Sequence, residues 1–292
     1  MRYGPPGLYR KPESSPQKFR GPANVCFLVS NGINAVNGTC LRARPGVHGE
    51  LLPGGAFSYG RYMGAQRTVR ETWRRHIVRL LDQALERNDA AISEVAAAIA
   101  TTMLAGRHVY AFGAGHSLAL VSEMHRRAGS MKVVRPLWNA ELTSRVDPVA
   151  AGKLENRVGY YKELTGGLDW GPGDLCWVIS NSGRNALVVE IALEARRHGV
   201  TVVGLVSAEH SGMVSAAPGL PKLAEIADYL LDNGGCFGDA ALDIPGVAER
   251  MAPTSTIVGA ALIHAIWAEA GERLVARGHV PEVWGSANRG PV

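Results

Sequence analysis

Short apolar runs alternate with longer amphipathic stretches from residue 108 onward, and few architectures accept that order. "HVYAF" (108–112), "MKVVRPL" (131–137), "DLCWVIS" (174–180), "TVVGLVS" (201–207) and "ADYLLDN" (227–233) read as strands. Between them, residues 116–128, a region near 153–164, and 185–198 closed by Gly199 read as helices. A strand that is apolar almost throughout suits a parallel sheet covered on both sides. The pattern therefore predicts an α/β fold, a parallel sheet with helices on both faces. Two helices precede the sheet. The first, 68–87, carries Trp73, Ile77, Leu80, Leu81 and Leu85 at helical spacing. The second, 90–104, has Asn88 or Asp89 as its cap and Gly106 as its stop. A last helix is expected from about Ser255 to Ala276. Ligands of such sheets bind beyond the carboxyl ends of the strands, where the strand order reverses.

The chain has 292 residues and a formal charge of +5, which raises the question of nucleic acid. The distribution answers it. Residues 1–62 hold 8 Lys+Arg against 2 Asp+Glu, leaving 23 against 24 for the other 230 residues. The body is thus close to neutral, whereas a nucleic-acid-binding fold carries a basic face of its own. Residues 1–62 combine scattered Pro and Gly with little periodicity. They read as a disordered extension, or as sequence ahead of a true or alternative start at Met63, with the folded domain spanning 63–292.

Cys26, Cys40, Cys176 and Cys236 lie far apart with no CxxC pair, so neither a disulfide framework nor a zinc ribbon is indicated. Cys176 falls inside a strand run and reads as a buried thiol. No apolar run approaches the ~18 residues of a membrane span, and "NVCFLV" (24–29) is too short for a secretory core. A cytoplasmic protein is expected, with neither a membrane nor a nucleic acid as partner.

Two turns carry the candidate chemistry. "FGAGHS" (112–117) follows the first strand. Its Gly113 and Gly115 let backbone approach a ligand, and Ser117 can cap a helix or donate to an oxyanion. A dinucleotide fingerprint would want a third glycine where Leu118 stands, and Glu141 lies beyond the spacing of a ribose-binding acid. No GxxxxGK[ST] loop occurs. No cofactor is expected. The second turn, "VISNSGRN" (178–185), gathers Ser180, Asn181, Ser182, Gly183 and Asn185 where a helix begins. Free N–H groups and the helix dipole favour an anion there.

"GAGHS", "ISNSGRN", "VSAEHS" (206–211) and "PTSTIVGAALIHAI" (253–266) together resemble the sugar isomerase (SIS) domain over about residues 66–290. The pattern is similar to the small UPF0309 proteins, themselves similar to phosphoheptose isomerase. The resemblance implies a flavodoxin-like, doubly wound sheet, a phosphosugar ligand, and a homodimer or homotetramer whose sites a neighbouring subunit completes. It also implies that Ser180, Ser182 and Asn185 hold the phosphate, with Asn181 and Ser117 beside it. Asn185 stands where the pattern more often has threonine, and His116 where arabinose 5-phosphate isomerases have lysine.

An aldose–ketose isomerase needs a base to move a proton between adjacent carbons and an acid for the oxygen's proton. The candidates are His116, Glu141, Glu155, His210 and Asp239. Four of them have a plain alternative: a solvated loop acid for Glu141, a solvated helix face for Glu155, a cap or surface role for His210, and a helix cap for Asp239. Thr254 or Ser255 is expected to cap the last helix, and His264 and Glu269 to serve packing. No HExxH or dense ligand set occurs, so no catalytic metal is expected. Apolar groups surround the first turns of helix 255–276, which predicts a subunit interface there, with helix 68–87 contributing. A phosphosugar sensor and an amino-sugar-phosphate lyase or deaminase are the competing functions.

Overall fold

Backbone hydrogen bonds join the five apolar runs into one parallel sheet. The computed structural model describes residues 68–143 and 147–289, together with four two-residue strands between residues 28 and 58. Those four form two small antiparallel pairs, Leu28–Val29 with Gly32–Ile33 and Glu50–Leu51 with Phe57–Ser58. Apart from those eight residues, the segment 1–62 that reads as a disordered extension, and the alternative start at Met63, fall outside the described residues.

The sheet consists of β1 (Val109–Gly113), β2 (Val134–Leu137), β3 (Leu175–Ile179), β4 (Thr201–Val206) and β5 (Tyr229–Asp232), in the order β2-β1-β3-β4-β5. All four pairings are parallel. This is the flavodoxin order, with its reversal between β1 and β3. Alternate side chains feed two cores. Val109, Ala111, Trp177, Ile179, Val203 and Leu205 face one helical layer. Tyr110, Phe112, Cys176, Val178 and Val202 face the other. Cys176 is buried as expected, and burial pushes its thiol up to about 12.

The first layer comprises α1 (Val69–Arg87), α2 (Asp89–Leu104), α3 (Leu118–Met124) and α9 (Ser255–Ala276). Thr68 starts α1 by accepting from the Glu71 N–H at 3.1 Å, a Thr-x-x-Glu start that favours a helix. The second core lies under α6 (Ala186–Arg197), with α4 (Pro148–Glu155), α5 (Tyr161–Thr165) and α8 (Leu223–Ile226) beside it. Two shorter features complete the domain: α7 (Ala208–Met213), and a hairpin of β6 (Ala240–Leu242) with β7 (Met251–Pro253). Fully burying a residue such as Ile99, Leu205 or Ile266 contributes about 1.5–3 kcal/mol.

Local expectations differ from the structure in identifiable ways. The helix expected over 116–128 is a 3-10 turn, Gly115–Ser117, followed by α3, which stops at Met124 because His125 is already extended, with Arg126 at φ 55° after it. The helix expected near 153–164 is two helices, separated where the buried Glu190 carboxylate takes the Gly159 N–H. Asn88 makes no side-chain cap on α2. Its amide instead ties the α1–α2 junction to β5, donating to the Asp232 carbonyl at 2.9 Å and accepting from the Asp232 N–H at 2.9 Å.

Helix α9 is the longest of the helices that cover this face. Val258, Leu262, Ile263, Ile266, Trp267 and Leu274 are buried within this chain, in the core shared with α1, α2 and α3. Part of the apolar circumference behind the expected subunit interface is satisfied internally, whereas Ile257 and Val275 of the same helix are exposed. His264 is exposed and faces Glu123 at 3.3 Å rather than packing inside. Glu269 does serve packing, accepting from Ser93 of α2 and from Arg273.

Candidate functional site

The two glycine- and serine-bearing turns leave β1 and β3, the neighbouring strands at which the order reverses. The turn after β3 is closed by its own residues. The buried Ser180 hydroxyl accepts from the Gly183 N–H at 3.1 Å, and the Gly183 carbonyl accepts from Leu223. Gly183 has φ 60°, and a Cβ there would lie 3.3 Å from both Leu223 and Val206, so the turn needs glycine. Ser182 is half-buried, and its hydroxyl has no hydrogen-bond partner among the described residues. The Nε of Arg184 is buried without an acceptor among them.

Asn185 occupies the N-cap position of α6 yet makes no side-chain bond to the helix's own N–H groups. Its amide is turned instead onto Glu155, donating to Oε2 at 2.7 Å. A 12-residue helix therefore starts at the ligand edge of the sheet with its first N–H groups uncapped by any side chain. Glu155 ends α4 and reaches the other turn as well. A Cβ on Gly115 (φ 55°) would lie 3.2 Å from its Oε1, so glycine leaves room for the carboxylate. Glu155 is half-buried, not on a solvated face.

Burial raises the Glu155 carboxyl above its ordinary 4.5, and the Asn185 hydrogen bond offsets part of that rise. The acid form is then favoured in the folded chain, so the stability Glu155 contributes is complete below pH 4.5 and declines as pH rises through the elevated value. Glu155→Gln is accordingly expected to raise the melting temperature near pH 8 and to change it little near about pH 4. Thermal unfolding at the two pH values checks this.

A cavity of about 210 Å³ opens beside these turns. His116 and Ser117 of the first turn, Asn181 of the second, and Asn233 and Asp239 after β5 form its walls. Leu120, Ile179 and Leu205 floor it, and Ser255 and Thr256 bring in the start of α9. Asp239 takes the role expected of Thr254 or Ser255. Its Oδ1 accepts from the N–H groups of Thr254 (3.0 Å) and Ser255 (2.8 Å), and its Oδ2 from the Ser255 hydroxyl (2.7 Å). Thr254 itself makes no side-chain cap.

The expected site residues thus fall into three places. Ser182, Gly183, Asn185, Glu155, Gly113 and Gly115 gather at the two turns, with Ser180 locking the second. His116, Ser117, Asn181 and Asp239 line the cavity. Glu141 and His210 stand apart from it. Glu141 lies exposed in the Ala140–Leu142 turn, its N–H bound by Asn139. His210 Nδ1 accepts from the Gly238 N–H at 3.1 Å, and the ring packs on Phe237. Asn233 was missed as a cavity residue, and Ser255 and Thr256 lie in "PTST" (253–256), which reads first as a helix cap and second as a ligand contact. Asn233 carried a legible signal, since it follows the carboxyl end of a strand in "LLDNGG". Among the described residues no group of three or more His, Cys, Asp or Glu could hold a metal ion, and no helix is long and apolar enough to cross a membrane.

The profile described as the SIS domain matches residues 72–207, which span both turns. A UPF0309 protein of Shouchella clausii (strain KSM-K16) is 32% identical over 220 residues, covering 75% of this chain and 89% of the relative. The chain belongs to the UPF0309 family of SIS-domain proteins. A second UPF0309 relative, from Brucella canis, is 34% identical over 212 residues, covering 73% of this chain and 86% of the relative. Among solved structures, a phosphoheptose isomerase from Neisseria gonorrhoeae aligns with 70% of this chain and 98% of its own, at 17% identity and a TM-score of 0.41. In this SIS domain the candidate site lies at the switch point, and the cavity and the start of α6 occupy opposite sides of the sheet edge. Ile179 and Leu205 of the cavity belong to the α9 side, whereas α6 and its uncapped start belong to the other.

Proposed function

We propose that this SIS domain binds a phosphorylated sugar and catalyses aldose–ketose isomerisation. The observation that carries the reading is the diverted cap. Asn185 is turned onto Glu155 and leaves the α6 N–H groups for another anion. A phosphate there gains the helix dipole, those N–H groups and the Ser182 hydroxyl. Asn185 can then exchange Glu155 for a phosphate oxygen.

Glu155 is the base. Isomerisation takes a proton from the carbon next to the carbonyl and returns it to the neighbouring carbon, while the oxygen's proton passes the other way. A carboxylate with an elevated pKa retains a protonated fraction nearer neutrality, so it can accept the carbon's proton and give it back. His116, exposed at the cavity wall, moves the oxygen's proton.

Ser182→Ala tests the anchor. Loss of a hydrogen bond to a charged oxygen is expected to weaken sugar-phosphate binding by about 1.5–3 kcal/mol, with a smaller effect on folding. Calorimetric titration against a panel of sugar phosphates reads it, and equal binding by mutant and parent removes Ser182 from the site. Exchange of a carbon-bound proton, followed by NMR, tests the reaction. Tight binding with no exchange assigns the site to sensing.

A further inference from the structure

The orientation of one cavity amide can be deduced from its neighbours. Asn233 is 3% exposed, and one of its side-chain atoms meets the Gly235 backbone N–H at 2.8 Å. A backbone N–H only donates, so that atom is Oδ1 and the other is the NH₂ group. The NH₂ donates to Asn181 at 2.9 Å, which fixes the Asn181 atom as its oxygen. The NH₂ of Asn181 therefore points away from Asn233, and it has no acceptor among the described residues. Asn181 lines the cavity. The frame holding this pair is rigid: Ser207 binds the Gly235 carbonyl, and the Asn233 N–H binds the Val206 carbonyl at 2.9 Å.

Asp239 also lines the cavity, and its carboxylate already collects the N–H groups of Thr254 and Ser255 and the Ser255 hydroxyl. Its negative charge disfavours a phosphate in this space. What remains is a chamber with an amide donor on one wall, hydroxyls at Ser117, Ser255 and Thr256, and an apolar floor.

We propose that Asn233 is a positioning residue, which holds the Asn181 NH₂ toward the cavity so that the chamber takes the uncharged, oxygen-bearing part of the ligand. This rests on the phosphosugar reading above. It divides the ligand in two, with phosphate at the start of α6 and carbonyl or hydroxyl oxygens against Asn181.

Calorimetry on the full chain tests the division with two probes, inorganic phosphate and fructose 6-phosphate. Asn233→Asp replaces the donor with a second acceptor, so Asn181 must turn its NH₂ back toward residue 233 and present its oxygen to the cavity. Affinity for fructose 6-phosphate is expected to fall about tenfold, and affinity for phosphate by clearly less, since the added charge repels both probes but the lost amide donor concerns only the sugar. Asn181→Leu should lose as much, and the double variant no more than Asn181→Leu alone, because Asn233 acts only through Asn181. Equal weakening of both probes, or additive losses in the double variant, overturns the proposal.

A ligand-free readout separates this from the phosphosugar reading. The side-chain amide signal of Asn181 in ¹⁵N–¹H spectra should move in Asn233→Asp, and an unmoved signal overturns the positioning role. A parent protein that binds neither probe, with the Asn181 signal moving as expected, overturns the phosphosugar reading and upholds the orientation.

Discussion

Glu155→Gln is expected to slow exchange of the carbon-bound proton by about 10²–10⁴-fold, the usual contribution of a positioned general base. Glutamine has nearly the same shape, and its amide oxygen can still accept from Asn185, whose NH₂ meets Glu155 at 2.7 Å. The turn after β3 and the start of α6 should therefore keep their form, and binding of phosphate should change little. Deuterium incorporation into a bound sugar phosphate, followed by NMR, separates the two effects. Undiminished exchange would remove Glu155 as the base and leave His116 as the candidate on the cavity wall. Activity of the parent should rise with pH through the ionisation of Glu155, because the basic form removes the proton. Burial places that rise above the ordinary 4.5.

Trp177→Ala should have the largest effect on folding. Trp177 lies at the middle of β3, is 0% exposed, and fills the space between the sheet and the layer that contains α2 and α9. Removing a buried aromatic ring leaves a cavity and costs about 3–5 kcal/mol, a large share of the 5–15 kcal/mol that typically holds a domain together. Trp177→Phe should cost less. The indole N–H has no acceptor among the described residues, so phenylalanine removes an unsatisfied donor along with part of the ring. Urea unfolding checks both, with a lowered midpoint at an unchanged slope as the expected result.

The five strands were legible because a sheet covered on both faces leaves little place for polar residues. "LCWVI" in β3 and "TVVGLV" in β4 declare themselves without reference to any distant residue. The two turns were equally plain, since glycines and hydroxyls directly after such runs have few other reasons to cluster. The 240–253 hairpin was not visible. Each of its strands is three residues long and partly exposed, too short for a period to register. Gly159 shows a different limit. The break between α4 and α5 depends on the carboxylate of Glu190, which lies far along the chain and reads there as an ordinary helix residue. The same holds for the cavity. Asn181 and Asn233 are 52 positions apart, and only the packed sheet reveals that they set each other's direction.

The junction at Asp239 bears on how such a chain can diverge. The hairpin leaves the domain at Asp239 and returns at Thr254, where the same carboxylate receives both the Thr254 and Ser255 N–H groups. The excursion is clamped at its root, and its tip around Gly246 is exposed. Lengthening a flexible loop costs only about 0.6 kcal/mol per doubling. Insertions and exchanges at the tip can therefore accumulate while the wall of the site stays in place. The hairpin is a replaceable appendage on a fixed chamber, free to be rewritten while the fold beneath it is kept.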